Sequence, residues 1–199
     1  MIADLIPLVF TAGWASGINP YLVVFLTGMV GRFGDAGVPD ALTRTDVLIA
    51  AAILTAIDFV VDKTAYLDTT WDAVNTVIRP VAGAALALLI SGDATTLEQA
   101  VFASLGGTTA LASHLTKAGT RVAVNTSPEP VSNIIVSLME DIAVVVVTVV
   151  AFVAPWVAAF IALTLLICGL VVVAIFWKAI ARYRRSRQRR RSDRPPEEP

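Results

Sequence analysis

Polar side chains at helical spacing within hydrophobic sequence are the residues of this chain that could do chemistry. They form three stripes: Asp68, Asp72, Asn75 and Arg79; then His114, Lys117, Arg121 and Asn125; then Asn133, Ser137, Glu140 and Asp141. Within each stripe the spacing of three or four residues places the side chains on one face of a helix. A charge at the centre of a membrane costs about 2.5–3.5 kcal/mol even on insertion scales. Each of these residues therefore needs a partner or a function.

The second stripe is basic and the third is acidic. A short proline-bounded loop, residues 125–130, joins the segments that carry them. The two segments should be antiparallel neighbours, so that Lys117 and Arg121 can face Glu140 and Asp141. Two interpretations follow: the acids neutralise the cations as a purely structural device, or the stripes line a polar cavity for a substrate or ion. We favour the cavity, and we assign the first stripe a structural role.

Asp58 is a further acid within a hydrophobic segment, and Asp62 follows it four residues later. The pair could bind a cation or relay protons. It could equally form ion pairs with Lys63 and Arg79 at the membrane edge. We include Asp58 among the candidate residues of a substrate or ion site.

The elements that must position these side chains are hydrophobic helices. The chain of 199 residues is 56% hydrophobic, and residues 142–170 contain no charged side chain. A helix of a soluble protein keeps a polar face, which this stretch lacks. We predict an all-α, polytopic membrane helix bundle with about six hydrophobic segments: residues 2–30, 47–61, 77–90, 97–124 and two within 131–177, separated at Pro155 and Trp156.

Two of these segments are interrupted. Gly17, Asn19 and Pro20 break the first segment, and Gly106 with Gly107 breaks the fourth. Paired interruptions of this kind mark binding sites in transporters built from repeats. We therefore predict two broken or re-entrant helices, related by an internal inverted repeat, and add these five residues to the candidate site. The alternative is two unrelated kinks.

The charge distribution predicts the orientation. Residues 178–199 carry nine Lys/Arg and three Asp/Glu, whereas the whole chain has a net charge of −1. A basic block directly after a hydrophobic helix indicates the cytoplasmic side. We divide the chain into a transmembrane helical domain, residues 1–177, and a basic, largely disordered cytoplasmic tail, residues 178–199. Both the broken and the re-entrant layout place both termini in the cytoplasm. The position of the basic block beside a membrane span explains its charge without nucleic acid.

Enzymatic chemistry has little support in the sequence. His114 is the only histidine, and Cys168 is the only cysteine and lies in an apolar run. A zinc site usually needs several such ligands. No phosphate-binding glycine loop or serine nucleophile motif occurs. We expect no enzyme, no cofactor and no metal site.

Several runs carry a family resemblance: residues 12–21, 62–63, 67–72, 78–80 and 127–133. Together they resemble the bacterial membrane family catalogued as domain of unknown function 4126, over about residues 5–175. The resemblance implies a multi-pass protein of the bacterial plasma membrane and implies no substrate. Asn75 stands where the resemblance leads us to expect histidine. If that histidine transfers protons, this chain lacks it.

We predict a small transporter or channel-like permease with a polar site at mid-membrane for an anionic solute, a lipid head group or an ion. Its partners would be membrane lipid and that solute, and self-association is left open. The alternative is a non-catalytic membrane assembly or scaffold protein, whose polar stripes lock helices together or bind a partner.

Overall fold

A computed structural model describes residues 2–34, 37–64, 67–124 and 130–192, and the described chain is helical with no strand. The helices are α1 (Ile2–Ile18), α2 (Pro20–Phe33), α3 (Asp40–Thr43), α4 (Thr45–Val61), α5 (Leu67–Ser91), α6 (Thr96–Val124), α7 (Pro130–Val153) and α8 (Pro155–Ser192). The predicted all-α class is confirmed. The loop 125–129 and the end of the chain, 193–199, lie outside the described residues.

The first two helices form a hairpin with its tip at Asn19. The Asn19 side chain accepts a hydrogen bond of 2.9 Å from the Leu22 backbone, and Pro20 is the first residue of α2. An asparagine cap followed by proline is a strong signal for a new helix. Leu5 of α1 and Thr27 of α2 line the same cavity, so both helices lead away from the tip toward one end of the bundle. The interruption predicted at residues 16–20 is confirmed.

Helix α6 runs parallel to α1. A methyl group on Gly13 would lie 2.6 Å from the Gly106 carbonyl oxygen, and the Lys117 ammonium group lies 2.9 Å from the Ile18 carbonyl oxygen. Helix α5 is antiparallel to α1, because Ala87 packs with Val9 in the middle of α1, while the earlier residue Arg79 reaches Gly17 near the end of α1.

Helix α8 also runs parallel to α6, since Gly119 of α6 approaches Val173 of α8 and Thr116 approaches Gly169. The beginning of α1 and the end of α8 therefore lie at opposite ends of the bundle. This arrangement does not fit the expectation that both termini are cytoplasmic. The physical reason is the hairpin, which returns to the end of the bundle from which it starts. The helices from α4 to α8 then run between the two ends, and because five is an odd number the chain finishes at the opposite end.

The break predicted at Gly106 and Gly107 is absent. Both residues lie inside the continuous helix α6. Gly106 instead allows close packing: an added methyl group would lie 2.5 Å from the Gly83 carbonyl oxygen of α5. The inverted repeat loses its basis as well, because α1 and α6 run parallel, whereas equivalent helices of an inverted repeat run in opposite directions.

Three further helix boundaries can be compared with the predicted segments. The first polar stripe, from Asp68 to Arg79, and the third predicted segment, 77–90, belong to one helix, α5, which contains Pro80. The predicted turn at Pro155 is confirmed, since α7 ends at Val153 and α8 begins at Pro155. Helix α8 continues to Ser192, through the first part of the segment for which a disordered tail was expected. Arginine, lysine, alanine and glutamine in this stretch are good helix formers.

The bundle buries polar side chains and exposes apolar ones. Arg79, Asp58 and His114 are fully buried, whereas Phe160 and Ile175 of α8 are more than half exposed. Among the residues that the structure describes, three helical stretches are long and apolar enough to cross a membrane: Thr70–Ser91, Val131–Val153 and Pro155–Tyr183. A helical protein with this distribution is a membrane protein, because lipid is the solvent that favours exposed apolar side chains.

Candidate functional site: a buried charge network

Within the described part of the chain, seven charged side chains from α4 to α7 and the residue after α4 meet inside the bundle, in contact with the tip of the α1–α2 hairpin. We call them the charge network: Asp58, Asp62, Asp72, Glu140, Arg79, Lys117 and Arg121. Asp62 directly follows α4; the others lie on α4, α5, α6 and α7.

Asp62 is the centre of one half of the network. One of its carboxylate oxygens lies 2.5 Å from the Lys117 ammonium group and 2.7 Å from Arg121 Nη2. All three side chains are at most 3% exposed. Lys117 also donates a hydrogen bond of 2.9 Å to the Ile18 carbonyl oxygen at the hairpin tip. Asn133 donates to the backbone carbonyl of Asp62 at 3.4 Å.

Arg79 is the centre of the other half. Its guanidinium group lies 3.2 Å from Asp72 and 3.4 Å from Asp58, and both it and Asp58 are completely buried. Arg79 also lies 3.5 Å from the Gly17 carbonyl oxygen, the second carbonyl of the hairpin tip that faces a cation. Trp71 donates a hydrogen bond of 2.6 Å to Asp58. The Arg79 side chain is thus surrounded by acceptors from three helices.

His114 extends this half of the network as a neutral ring. Its Nδ1 lies 2.8 Å from Arg79 Nη1, which can only donate, so Nδ1 must accept and carry no proton. The other ring nitrogen, Nε2, lies 3.0 Å from the Thr76 hydroxyl. The arrangement assigns the ring proton to Nε2.

Glu140 is the loosest member of the charge network. Its carboxylate lies 3.8 Å from Lys117 and 3.7 Å from Arg121, and Oε2 makes no hydrogen bond. With 17% of its side chain exposed, it is also more accessible than its partners. Glu140 and Lys117 line a cavity of about 330 Å³ between α1, α6, α7 and α8, whose other walls include Trp14 and Leu166.

The charges of the network do not balance. Four carboxylates and three cationic groups leave one negative charge in excess when all are ionised. The neighbouring pair of Lys63 and Asp141, 3.1 Å apart, is neutral and does not compensate. One oxygen each of Asp58, Asp62 and Glu140 is buried without a hydrogen-bond partner. A buried excess charge is costly unless a proton or another cation neutralises it.

The structure brings most of the predicted site residues together. Asp58, His114, Lys117, Arg121 and Glu140 meet here, and Asp72 and Arg79, which we had assigned to a structural stripe, join them. Asn133 contacts Asp62, and Asp141 lies beside the network through Lys63. Asp68 is fully buried on the same helix as Asp72.

The other predicted site residues bring no charged group to the network and act on the course or packing of the backbone. Gly17 contributes its carbonyl group, Asn19 caps α2, and Pro20 begins that helix. Gly106 and Gly107 lie outside the site, at the packing contact with α5.

The sequence analysis did not include Asp62 among the candidate site residues. Its position four residues after Asp58 was noted, but only as a companion of that residue. The predicted pairing of Arg121 with Glu140 is present at 3.7 Å, whereas Asp141 pairs with Lys63 rather than with Arg121. The ion pairs could not be assigned before the order of the helices was known.

A comparison with known protein families shows to which family the chain belongs. The family model described as domain of unknown function 4126 matches residues 6–175. The chain belongs to this family. The match includes the whole charge network and the hairpin from residue 6 onward. No curated protein and no solved structure matches the chain.

Proposed function

We propose that this protein of the 4126 family is a small transporter or permease whose charge network binds and releases a proton. The observation that carries the proposal is the excess carboxylate in a buried network that a cavity reaches at Glu140. Ionisable residues within membrane helices are expensive, and relays of acidic side chains are a common reason for keeping them.

Glu140 is the proposed proton carrier. Its nearest cations are 3.7 and 3.8 Å away, whereas Asp62 holds the same two cations at 2.5 and 2.7 Å. Asp62 therefore keeps its negative charge more strongly, and the proton that balances the network belongs on Glu140. A metal ion at Glu140 would lie close to Lys117 and Arg121, which repel it, while a proton is held by the carboxylate itself.

An anionic solute fits this site less well than a proton. Each cation of the network already has carboxylate partners: Arg79 has Asp58 and Asp72, and Lys117 and Arg121 share Asp62. An anion would have to displace one of these ion pairs and add to an existing negative excess. We therefore set the anion aside in favour of the proton.

The proposed setting is the bacterial plasma membrane, crossed several times, with the basic end of α8 in the cytoplasm. The beginning of α1 then lies on the opposite face, and the α1–α2 hairpin is a re-entrant element that descends from that face to the network. Helix α1 has 17 residues and is about 25 Å long, which is shorter than a membrane core of about 30 Å.

Glu140→Gln tests the proposal with little risk to folding. The substitution leaves three carboxylates and three cations, so the network becomes balanced and the variant should be as stable as the wild type. Purified protein is placed in vesicles that contain a pH-sensitive dye, and a potassium gradient with valinomycin drives proton entry. Wild type should acidify or alkalise the lumen with the sign of the imposed potential, and Glu140→Gln should behave like empty vesicles.

A second measurement covers transport that requires an unknown co-substrate. Infrared difference spectra between acidic and alkaline buffer should show a protonated carboxyl band in the wild type that is missing in Glu140→Gln. Asp46→Asn is the matched control, because Asp46 is a solvent-exposed acid that pairs with Arg44 far from the network. Wild-type protein with neither flux nor a carboxyl band that depends on Glu140 would refute the proposal and leave the scaffold, whose ion pairs only lock helices together.

A further inference from the structure

A second and larger cavity lies at the other end of the bundle. Its volume is about 750 Å³, within the range of about 300–1,000 Å³ typical of small-molecule sites. Its walls come from α1, α2, α7 and the segments around the ends of α3 and α5, and they are largely apolar: Leu5, Leu8, Val23, Leu89 and Phe152 are examples. No residue of the charge network lines it, so the inference below is independent of the proposed function.

Two buried hydroxyl groups in this wall have no partner. Thr11 and Thr148 are 1% and 5% exposed, both line the cavity, and neither hydroxyl makes a hydrogen bond. Threonines elsewhere in the bundle, such as Thr109 and Thr116, donate to the carbonyl group four residues earlier. Both hydroxyl oxygens have almost no accessible surface, so a ligand reaches them only after a change of side-chain rotamer. A buried hydroxyl without a hydrogen bond is unfavourable, and a polar atom of a ligand would relieve that cost.

The charged residues of the cavity are both acidic. Asp40, the first residue of α3, and Asp93, in the turn between α5 and α6, line it and are exposed. Among the described residues that line the cavity there is no lysine, arginine or histidine. Two carboxylates without a basic neighbour favour a cationic group at this position.

We infer that this cavity binds an amphipathic cation. The apolar body lies among the leucines and Phe152, a polar group partway along it meets Thr11 and Thr148, and the positively charged head group lies beside Asp40 and Asp93. The molecule belongs to the class of lipophilic amines and quaternary ammonium compounds, and a membrane lipid with a cationic head group has the same chemistry.

The charge preference is tested with two probes of the same shape and opposite charge. Tetraphenylphosphonium should bind saturably to the full-length protein in nanodiscs, and tetraphenylborate should not. The double variant Asp40→Asn/Asp93→Asn should lose about tenfold or more in affinity for the cation. Asp46→Asn, an exposed acid outside the cavity, is the control and should bind as the wild type does. Equal binding of both probes, or no effect of the double variant, would overturn the inference.

The hydroxyl groups are tested with a second pair of probes. A fatty amide with a terminal trimethylammonium group should bind more tightly than the alkyltrimethylammonium ion of the same length, by about two- to twelvefold for one hydrogen bond. Thr11→Val and Thr148→Val keep the shape of the side chain, so they should remove this advantage and leave the alkyl probe unaffected. An advantage that survives in both variants would place the amide elsewhere and contradict the inferred pose.

Two sources of the ligand can be separated. Mass spectrometry of protein extracted from native membranes should show a bound cationic lipid, displaced by tetraphenylphosphonium, if the ligand comes from the bilayer. Binding of free amphipathic amines without such a lipid indicates a solute. Both measurements read binding alone, so probe binding without proton flux would uphold this inference and refute the proposed function, and flux without binding would do the reverse.

Discussion

The adjacent residues Gly106 and Gly107 offer a sharp test of the packing between α5 and α6. A methyl group added at Gly106 would lie 2.5 Å from the Gly83 carbonyl oxygen and 2.7 Å from the Ala87 methyl group. A methyl group added at Gly107 would lie 3.3 Å from the Pro80 carbonyl oxygen, a tight contact that a small shift relieves. The two alanine variants are chemically identical and differ only in what the new methyl group meets.

The expected free energies of unfolding follow from two opposing terms. Replacing glycine by alanine inside a helix stabilises it by about 1 kcal/mol at either position. Overpacking costs about 1–3 kcal/mol, and the upper end applies at Gly106, because the obstacle is backbone that moves only with the whole helix α5. Gly106→Ala should therefore lower the free energy of unfolding by about 2 kcal/mol, and Gly107→Ala should leave it unchanged or raise it by up to about 1 kcal/mol.

The assay is reversible unfolding in mixed micelles of dodecyl maltoside and increasing sodium dodecyl sulfate, followed by tryptophan fluorescence and circular dichroism. The midpoints of the two variants should move in opposite directions relative to wild type, or Gly106→Ala alone should move. If Gly106→Ala is stabilised as much as Gly107→Ala, then α6 is not packed against α5 at Gly106, and the close packing of α1, α5 and α6 around this residue is wrong.

Three further predictions concern the site and the topology. Asp62→Asn leaves Lys117 and Arg121 with acids at 3.7 Å or more, so the free energy of unfolding should fall by about 3–5 kcal/mol. Asp46→Asn should cost less than about 1 kcal/mol, because the ion pair of Asp46 with Arg44 is exposed. The same detergent titration measures both variants, and equal losses would contradict the central place of Asp62. Asn19→Ala removes the cap of α2 and should lower the free energy of unfolding by about 1 kcal/mol in the same assay. Asn133→Ala should lower it less, because the hydrogen bond of Asn133 to the Asp62 carbonyl oxygen is long at 3.4 Å. A reporter after Pro199 should be cytoplasmic and a reporter before Met1 should be on the opposite face; finding both on one face would exclude the hairpin topology.

The local features of the fold could be predicted from the sequence. The break at Asn19 and Pro20 depends on a cap and a residue without a backbone donor, both of which act within one turn of helix. The turn at Pro155 has the same local cause. Such signals need no knowledge of the neighbouring helices.

The structural role of Gly106 and Gly107 could not be predicted from the local sequence. A glycine pair can weaken a helix, or it can allow another backbone to approach closely, and the sequence is the same in both cases. Only the position of Gly83 and Gly13 opposite Gly106 decides for close packing. The inverted repeat was predicted from this break, so the error passed from one helix to the whole topology.

Several members of the charge network could be predicted as buried polar residues, but their ion pairs could not. Helical spacing correctly placed His114, Lys117 and Arg121 on one buried face, because the period of a helix fixes which residues share a side. Asp62, the shared partner of Lys117 and Arg121, directly follows α4 and lies more than fifty residues earlier in the chain. Which helices are neighbours depends on the packing of the whole bundle, and the chain offers enough acids for several pairings.

The hairpin break and the charge network form one electrostatic unit. The last carbonyl groups of a helix have no intrahelical partner, and the helix end carries about half a negative charge. At the end of α1 the Gly17 and Ile18 carbonyl groups meet Arg79 and Lys117, so the interruption supplies acceptors that a continuous helix would have used internally. The start of α2 lies at the same tip and carries about half a positive charge, so the two helix ends largely offset each other and the excess charge is that of the carboxylates. The physical reason to place a neutralising proton on Glu140 is that its nearest cations, at 3.7 and 3.8 Å, are the most distant of any carboxylate in the network, and that it borders a cavity.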